Sequence, residues 1–160
     1  MSFTVTGSQT VGPFFHVGLA GLFQSDMTRA VRPKPDTTVL NIRGRVIDGD
    51  GNGVPDAMLE VWQVETGGFA RVPTDADGVF SFTTVPSPFL SVTIFMRGLL
   101  RQLHTRIYLP DGSPSDDPVL RLVEPARRGT LIARPIAGAE SHLEWNVVLQ
   151  GEDETVFFEC

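Results

Sequence analysis

Hydrophobic and polar positions alternate in short runs from Val39 onward. VLNIRGRVI (39–47), AMLEVWQV (57–64), GVFSFTTV (78–85), FLSVTIFMR (89–97), LHTRIYL (103–109), GTLIARPI (129–136), HLEWNVVLQ (142–150) and ETVFF (154–158) are rich in β-branched and aromatic residues, and Gly, Pro and Asp separate them. Such side chains suit a pleated, half-buried surface, and the residues between them set turns. Eight runs at this spacing predict an all-β fold, an antiparallel β-sandwich or barrel. A period of two places Phe89, Ser91, Thr93 and Phe95 on one strand face, and His104, Arg106 and Tyr108 on one face of the next run. Helical periodicity is weak, with short helical turns expected at 18–23 and 117–123. The apolar Thr155–Phe158 predicts a last paired strand or a segment packed on a partner.

Residues 1–38 have no sustained period and contain Gly12-Pro13 and Arg32-Pro33-Lys34-Pro35-Asp36, which predicts an extended arm and linker ahead of a single domain at 39–160. A chain of 160 residues with 41% apolar content fills one core. No run reaches the roughly 18 apolar residues a membrane helix needs, and MSFTVTGSQTVGPFF has no leader pattern, so the expectation is a cytoplasmic protein without a membrane partner.

A formal charge of −6 speaks against nucleic acid as a partner. Lys34 is the only lysine among thirteen basic residues. Arginine suits interfaces and anionic ligands, although a codon bias toward arginine gives the same count. Cys160 is the only cysteine, which leaves no internal disulfide and no thiolate cluster.

Asp48-Gly49-Asp50-Gly51-Asn52-Gly53 opens like a calcium loop, but its twelfth position is Leu59 in place of a bidentate Glu, so a β-turn is the expectation. His16, His104 and His142 have no local pairing for a metal. The stripe of His104, Arg106 and Tyr108 lines a pocket or faces water; periodicity alone leaves both open.

GRVIDGDGNGVPDAMLEVWQVETGGF (44–69) resembles the signature of the intradiol ring-cleaving dioxygenases. Ser8-Gln9-Thr10-Val11-Gly12-Pro13-Phe14, then Arg97-Gly98 with Leu103–Tyr108, then Gly151–Phe158, are similar to the α-type chains of that family. The resemblance covers nearly the whole chain and implies the intradiol β-sandwich with an N-terminal arm. In the family, a non-haem Fe(III) is held by two tyrosinates and two histidines, hard anionic phenolates stabilising the ferric state.

The resemblance puts Phe69 at the first tyrosine position and Phe89 and Ser91 at the two histidine positions, while the second tyrosine's loop is missing at 84–88. Tyr108 is the only tyrosine in the chain. The implication is a chain with no metal ligands and no catalytic residue of its own. Its Fe(III) would be held by a β-type partner of the same fold, in a hetero-oligomer that acts on a small aromatic acid. Thr10, Gly12, Pro13, Phe14 and Arg97 are the implied substrate-binding residues, with Arg97 either a counter-charge for a carboxylate or half of an interface ion pair. Phe14 stands where such chains commonly carry tyrosine, and the loop between Phe69 and Asp75 is short. A stand-alone sandwich that binds aromatics or serves assembly is the alternative.

Overall fold

The computed structural model describes residues 7–12, 14–110 and 117–159. Nine strands are found among them: β1 (Leu40–Ile47), β2 (Met58–Gln63), β3 (Gly68–Pro73), β4 (Val79–Thr84), β5 (Phe89–Phe95), β6 (Leu103–Tyr108), β7 (Arg134–Ile136), β8 (Ala139–Glu144) and β9 (Val147–Val148). One sheet has the order β3-β2-β5-β6 and is antiparallel throughout. The other has the order β4-β1-β8-β7, with β8 and β9 running parallel to β1.

Alternation decides which side chains meet between the sheets. Ile42, Val46, Phe80, Phe82, Leu143 and Val147 point inward from one sheet, and Leu59, Val61, Leu90, Val92, Ile94 and Ile107 from the other. Gly44 lies where the Trp145 carbonyl crosses β1, and a Cβ there would collide with that oxygen. Trp145 itself is buried and donates its indole N–H to the Thr130 carbonyl at 3.0 Å.

The run at 129–136 divides: Arg128–Leu131 is a 3-10 turn, and only Arg134–Ile136 is strand. The run at 142–150 also divides, because β1 is followed first by β8 and then, past Trp145 and Asn146, by β9. Residues 154–158 pair by a single bridge, in which Phe158 N donates to His104 O at 2.8 Å. β3 has no counterpart among the predicted runs. It begins with glycine, ends with proline and lies at a sheet edge, where proline is tolerated and β-propensity is uninformative.

Helices are short: α1 (Phe15–Leu19), α2 (Thr28–Val31) and α3 (Pro118–Leu122). Asp117 caps α3, accepting from Val119 N at 2.7 Å and Leu120 N at 3.1 Å, with Pro118 in the first turn. Before β1, the backbone of Gln24 exchanges hydrogen bonds with Arg71 on β3 (2.9 and 2.8 Å), while Thr83 on β4 bonds Ser25 and Met27 (2.8 and 3.0 Å). This strap joins the edges of the two sheets, and Met27 is fully buried in the core.

The calcium-like loop is a turn, as expected. Asp48 Oδ1 accepts from Asn52 N (2.8 Å) and Asp50 N (2.9 Å), and Gly51 has φ +84°. Those backbone donors, Asn52 first, hold the Asp48 carboxyl below its usual range.

Candidate functional site

The outward face of β3-β2-β5-β6 is built in rows. One row runs Phe69, Trp62, Ser91, Arg106 across the four strands, the next Arg71, Glu60, Thr93, His104, and Phe89 lies opposite Tyr108. The three positions that the resemblance assigns to metal ligands, Phe69, Phe89 and Ser91, therefore share one face of one sheet.

Their chemistry differs from that of a ferric centre. The Phe69 ring packs on Trp62 with centroids 4.4 Å apart, and the Arg71 guanidinium lies 5.3 Å from the Phe69 ring centre. Arg71 is fixed by two hydrogen bonds to Glu60 Oε1, at 2.9 and 2.6 Å. Arg106 lies 4.1 Å over the Phe89 ring and donates Nη1 to Asp117 Oδ2 at 3.1 Å. Two phenylalanines thus lie under two guanidinium groups, each held by its own carboxylate.

The single tyrosine is part of the same arrangement. Tyr108 is fully buried and donates its hydroxyl to Asp117 Oδ1 at 3.1 Å. Burial pushes its phenol up from the ordinary value, so it serves as a neutral donor and not as a tyrosinate. His104 shares a 3.2 Å hydrogen bond with Thr93. Among the described residues, no group of three or more His, Cys, Asp or Glu is placed to hold a metal ion. Phenyl rings, a hydroxyl and two fixed cations do not fit Fe(III), which asks for anionic oxygen and imidazole.

A second constellation lies at the β5–β6 turn. Thr10 Oγ1 accepts from Gly98 N at 2.9 Å, which ties the N-terminal segment to the Arg97-Gly98 pair. Gln9 and Val11 close a small cavity of about 130 Å³ against Phe95, Met96 and Leu99. Arg97 donates Nη2 to Asp56 Oδ2 at 3.1 Å, with both side chains about half exposed. Asp56 holds a left-handed backbone, φ +60°. The Gly12 carbonyl accepts from Phe15 N at 3.2 Å as the chain enters α1. Phe14 is 79% exposed. Pro13 lies outside the described residues.

Of the five residues implied for substrate binding, the structure brings Thr10 to the Arg97-Gly98 pair and leaves the Phe14 ring in solvent. Sequence reasoning missed Asp56 and Asp117, the partners of Arg97 and Arg106. Spacing gave no sign of Asp56, 41 residues from Arg97. Asp117 followed by proline is a helix-start signal that could have marked its cap, though not its arginine.

Among the described residues no helix is long and apolar enough to cross a membrane. The carboxypeptidase regulatory-like domain family matches residues 41–121. The chain is 38% identical to the protocatechuate 3,4-dioxygenase alpha chain of Burkholderia cepacia and 34% identical to that of Pseudomonas putida, in each case over 96% of both sequences. In fold it resembles the 3-chlorocatechol 1,2-dioxygenase of Rhodococcus opacus 1CP, with a TM-score of 0.58 at 16% identity, over 92% of this chain and 68% of that one. Residues 41–121 thus belong to the carboxypeptidase regulatory-like domain family, and the whole chain belongs to the intradiol dioxygenases, among the protocatechuate 3,4-dioxygenase alpha chains.

Proposed function

We propose that this chain is the iron-free, α-type subunit of a protocatechuate 3,4-dioxygenase, an oxidoreductase of bacterial aromatic catabolism in the cytoplasm. A β-type chain of the same fold holds the Fe(III), and this chain helps wall the substrate pocket. The assembled enzyme inserts both atoms of O₂ into protocatechuate, opening the ring between its hydroxyls to give 3-carboxy-cis,cis-muconate. The observation that carries this reading is the 38% identity to an alpha chain across 96% of both sequences. The outward sheet face supports it, since phenyl rings and a hydroxyl stand at the positions that the resemblance assigns to ligands, and these share one face.

In this reading residues 1–38 are an N-terminal arm and linker ahead of the sandwich core of 39–160, and Thr10, Gly12, Pro13, Phe14 and Arg97 contribute to substrate binding. The Thr10–Gly98 hydrogen bond supports a fixed relation between arm and turn. The exposed Phe14 ring is available to a neighbouring chain. Arg97 and Asp56 make a half-exposed ion pair, worth about 0–1 kcal/mol, so an aromatic carboxylate can replace Asp56 at the guanidinium.

Co-expression with an iron-holding β-type chain, followed by oxygen uptake on protocatechuate, tests the assignment. The co-purified pair is expected to consume oxygen, and neither chain alone to match it. Full activity of the β-type chain by itself, unchanged on adding this one, would contradict a shared pocket.

A further inference from the structure

The subunit role leaves the two arginines on the outward face of β3-β2-β5-β6 unexplained. We propose that Arg106 occupies the space that a metal would take on this face and keeps metal ions off it, so that iron is confined to the partner chain. The proposal rests on the reading of Phe89 and Ser91 as the family's histidine positions.

Residues two apart on a strand point the same way and stand about 7 Å apart, a spacing from which two imidazoles can converge on one ion. Ser91 lies directly opposite Arg106 on β6, and the Arg106 guanidinium leans over position 89, 4.1 Å from the ring centre. The volume in which side chains at 89 and 91 would converge is therefore already filled by a cation.

It is also anchored. The Arg106 and Asp117 side chains are 24% and 15% exposed, and the Asp117 carboxylate is fully engaged. Its Oδ1 accepts from Tyr108 OH, Val119 N and Leu120 N, and its Oδ2 from Arg106. Asp117 cannot turn to ligate a metal without uncapping α3, and a metal cannot enter without displacing Arg106 from its ring and its carboxylate. Arg71, over Phe69 and held by Glu60, places a second fixed charge at the remaining ligand position. A metal that displaced Arg106 would leave both members of a largely buried ion pair without each other, which lowers its affinity by more than about tenfold.

The test restores ligands with and without the guanidinium in the full chain. Ni²⁺ binding is measured by calorimetry for Phe89→His/Ser91→His and for the same pair carrying Arg106→Gln, with circular dichroism confirming that each is folded. The triple variant is expected to bind Ni²⁺ at least tenfold more tightly than the double variant, and the unsubstituted chain not to bind at this face. Equal affinity in the two variants would overturn the role of Arg106 while leaving the ligand positions intact. A triple variant that binds no better than the unsubstituted chain would overturn both this proposal and the placement of the ligand positions at 89 and 91. If Arg106→Gln does not fold, Arg106→Lys replaces it. An ammonium cannot stack flat on the ring, so affinity should rise by a smaller step, and no rise overturns the proposal.

Discussion

Thr10 Oγ1 accepts the backbone N–H of Gly98 at 2.9 Å, joining residues 88 apart in sequence. A segment without periodic signal is thereby held against the turn that carries Arg97. Removing the hydroxyl tests how much of the docking this contact supplies. Thr10→Ala should cost about 1 kcal/mol of arm docking, read as severalfold faster proteolysis within the arm. Unchanged cleavage would mean that Gln9 and Val11, packed beside Phe95, hold the arm without it.

Arg97→Ala, in the complex with an iron-holding chain, should weaken use of a carboxylated catechol more than use of plain catechol. A charge-assisted hydrogen bond contributes about 1.5–3 kcal/mol, so the selective loss in kcat/KM should be about tenfold to a hundredfold. Asp56→Asn is the companion, since asparagine tolerates the φ of +60° and frees the guanidinium. It should lower KM for protocatechuate. Equal losses on both catechols in Arg97→Ala, with no change in Asp56→Asn, would assign Arg97 to holding the structure together.

Asp117→Ala leaves α3 uncapped and strips Arg106 and the Tyr108 hydroxyl of their acceptor. Breaking one member of a largely buried ion pair costs about 3–5 kcal/mol. The chain should unfold at much lower denaturant, while Arg106→Gln, which leaves the Asp117 carboxylate its Tyr108, Val119 and Leu120 donors, should cost less. A loss below 1 kcal/mol for Asp117→Ala would show the pair to be solvent-screened.

The Asp26 carboxyl is held below its ordinary value of 3.8, first by the Thr28 hydroxyl and then by Thr83 and Arg29. The unfolded chain binds the proton more readily than the folded one, so this contribution is present above the unfolded value and is lost as pH falls through the folded value. In Asp26→Asn the unfolding midpoint should fall less, as pH drops below the ordinary value of 3.8, than in the parent chain. Parallel curves would place the acid sensitivity elsewhere.

Most of the sandwich was legible because its strands carry period-two alternation: Leu90, Val92 and Ile94 face the core, and Phe89, Ser91 and Thr93 face out, as the spacing required. β3 was not legible, since Gly68, Ala70 and Pro73 at a sheet edge have no strand signature. The break at Trp145 and Asn146 was hidden because two strands that pair with β1 in succession read as one run. At the site, spacing showed that His104, Arg106 and Tyr108 share a face, but Asp117 and Asp56 come from loops whose approach only tertiary structure sets. Met27 gave no signal either. One methionine in an aperiodic arm does not announce that it completes a core.

The proposed subunit role requires that this chain leave the iron to a partner. The most direct measurement is the iron content and visible spectrum of the full chain expressed alone with ample iron. A colourless protein with far less than one iron per chain is expected, because Phe69, Phe89 and Ser91 offer no phenolate or imidazole. A red-brown protein with one ferric ion per chain and a tyrosinate charge-transfer band would contradict it.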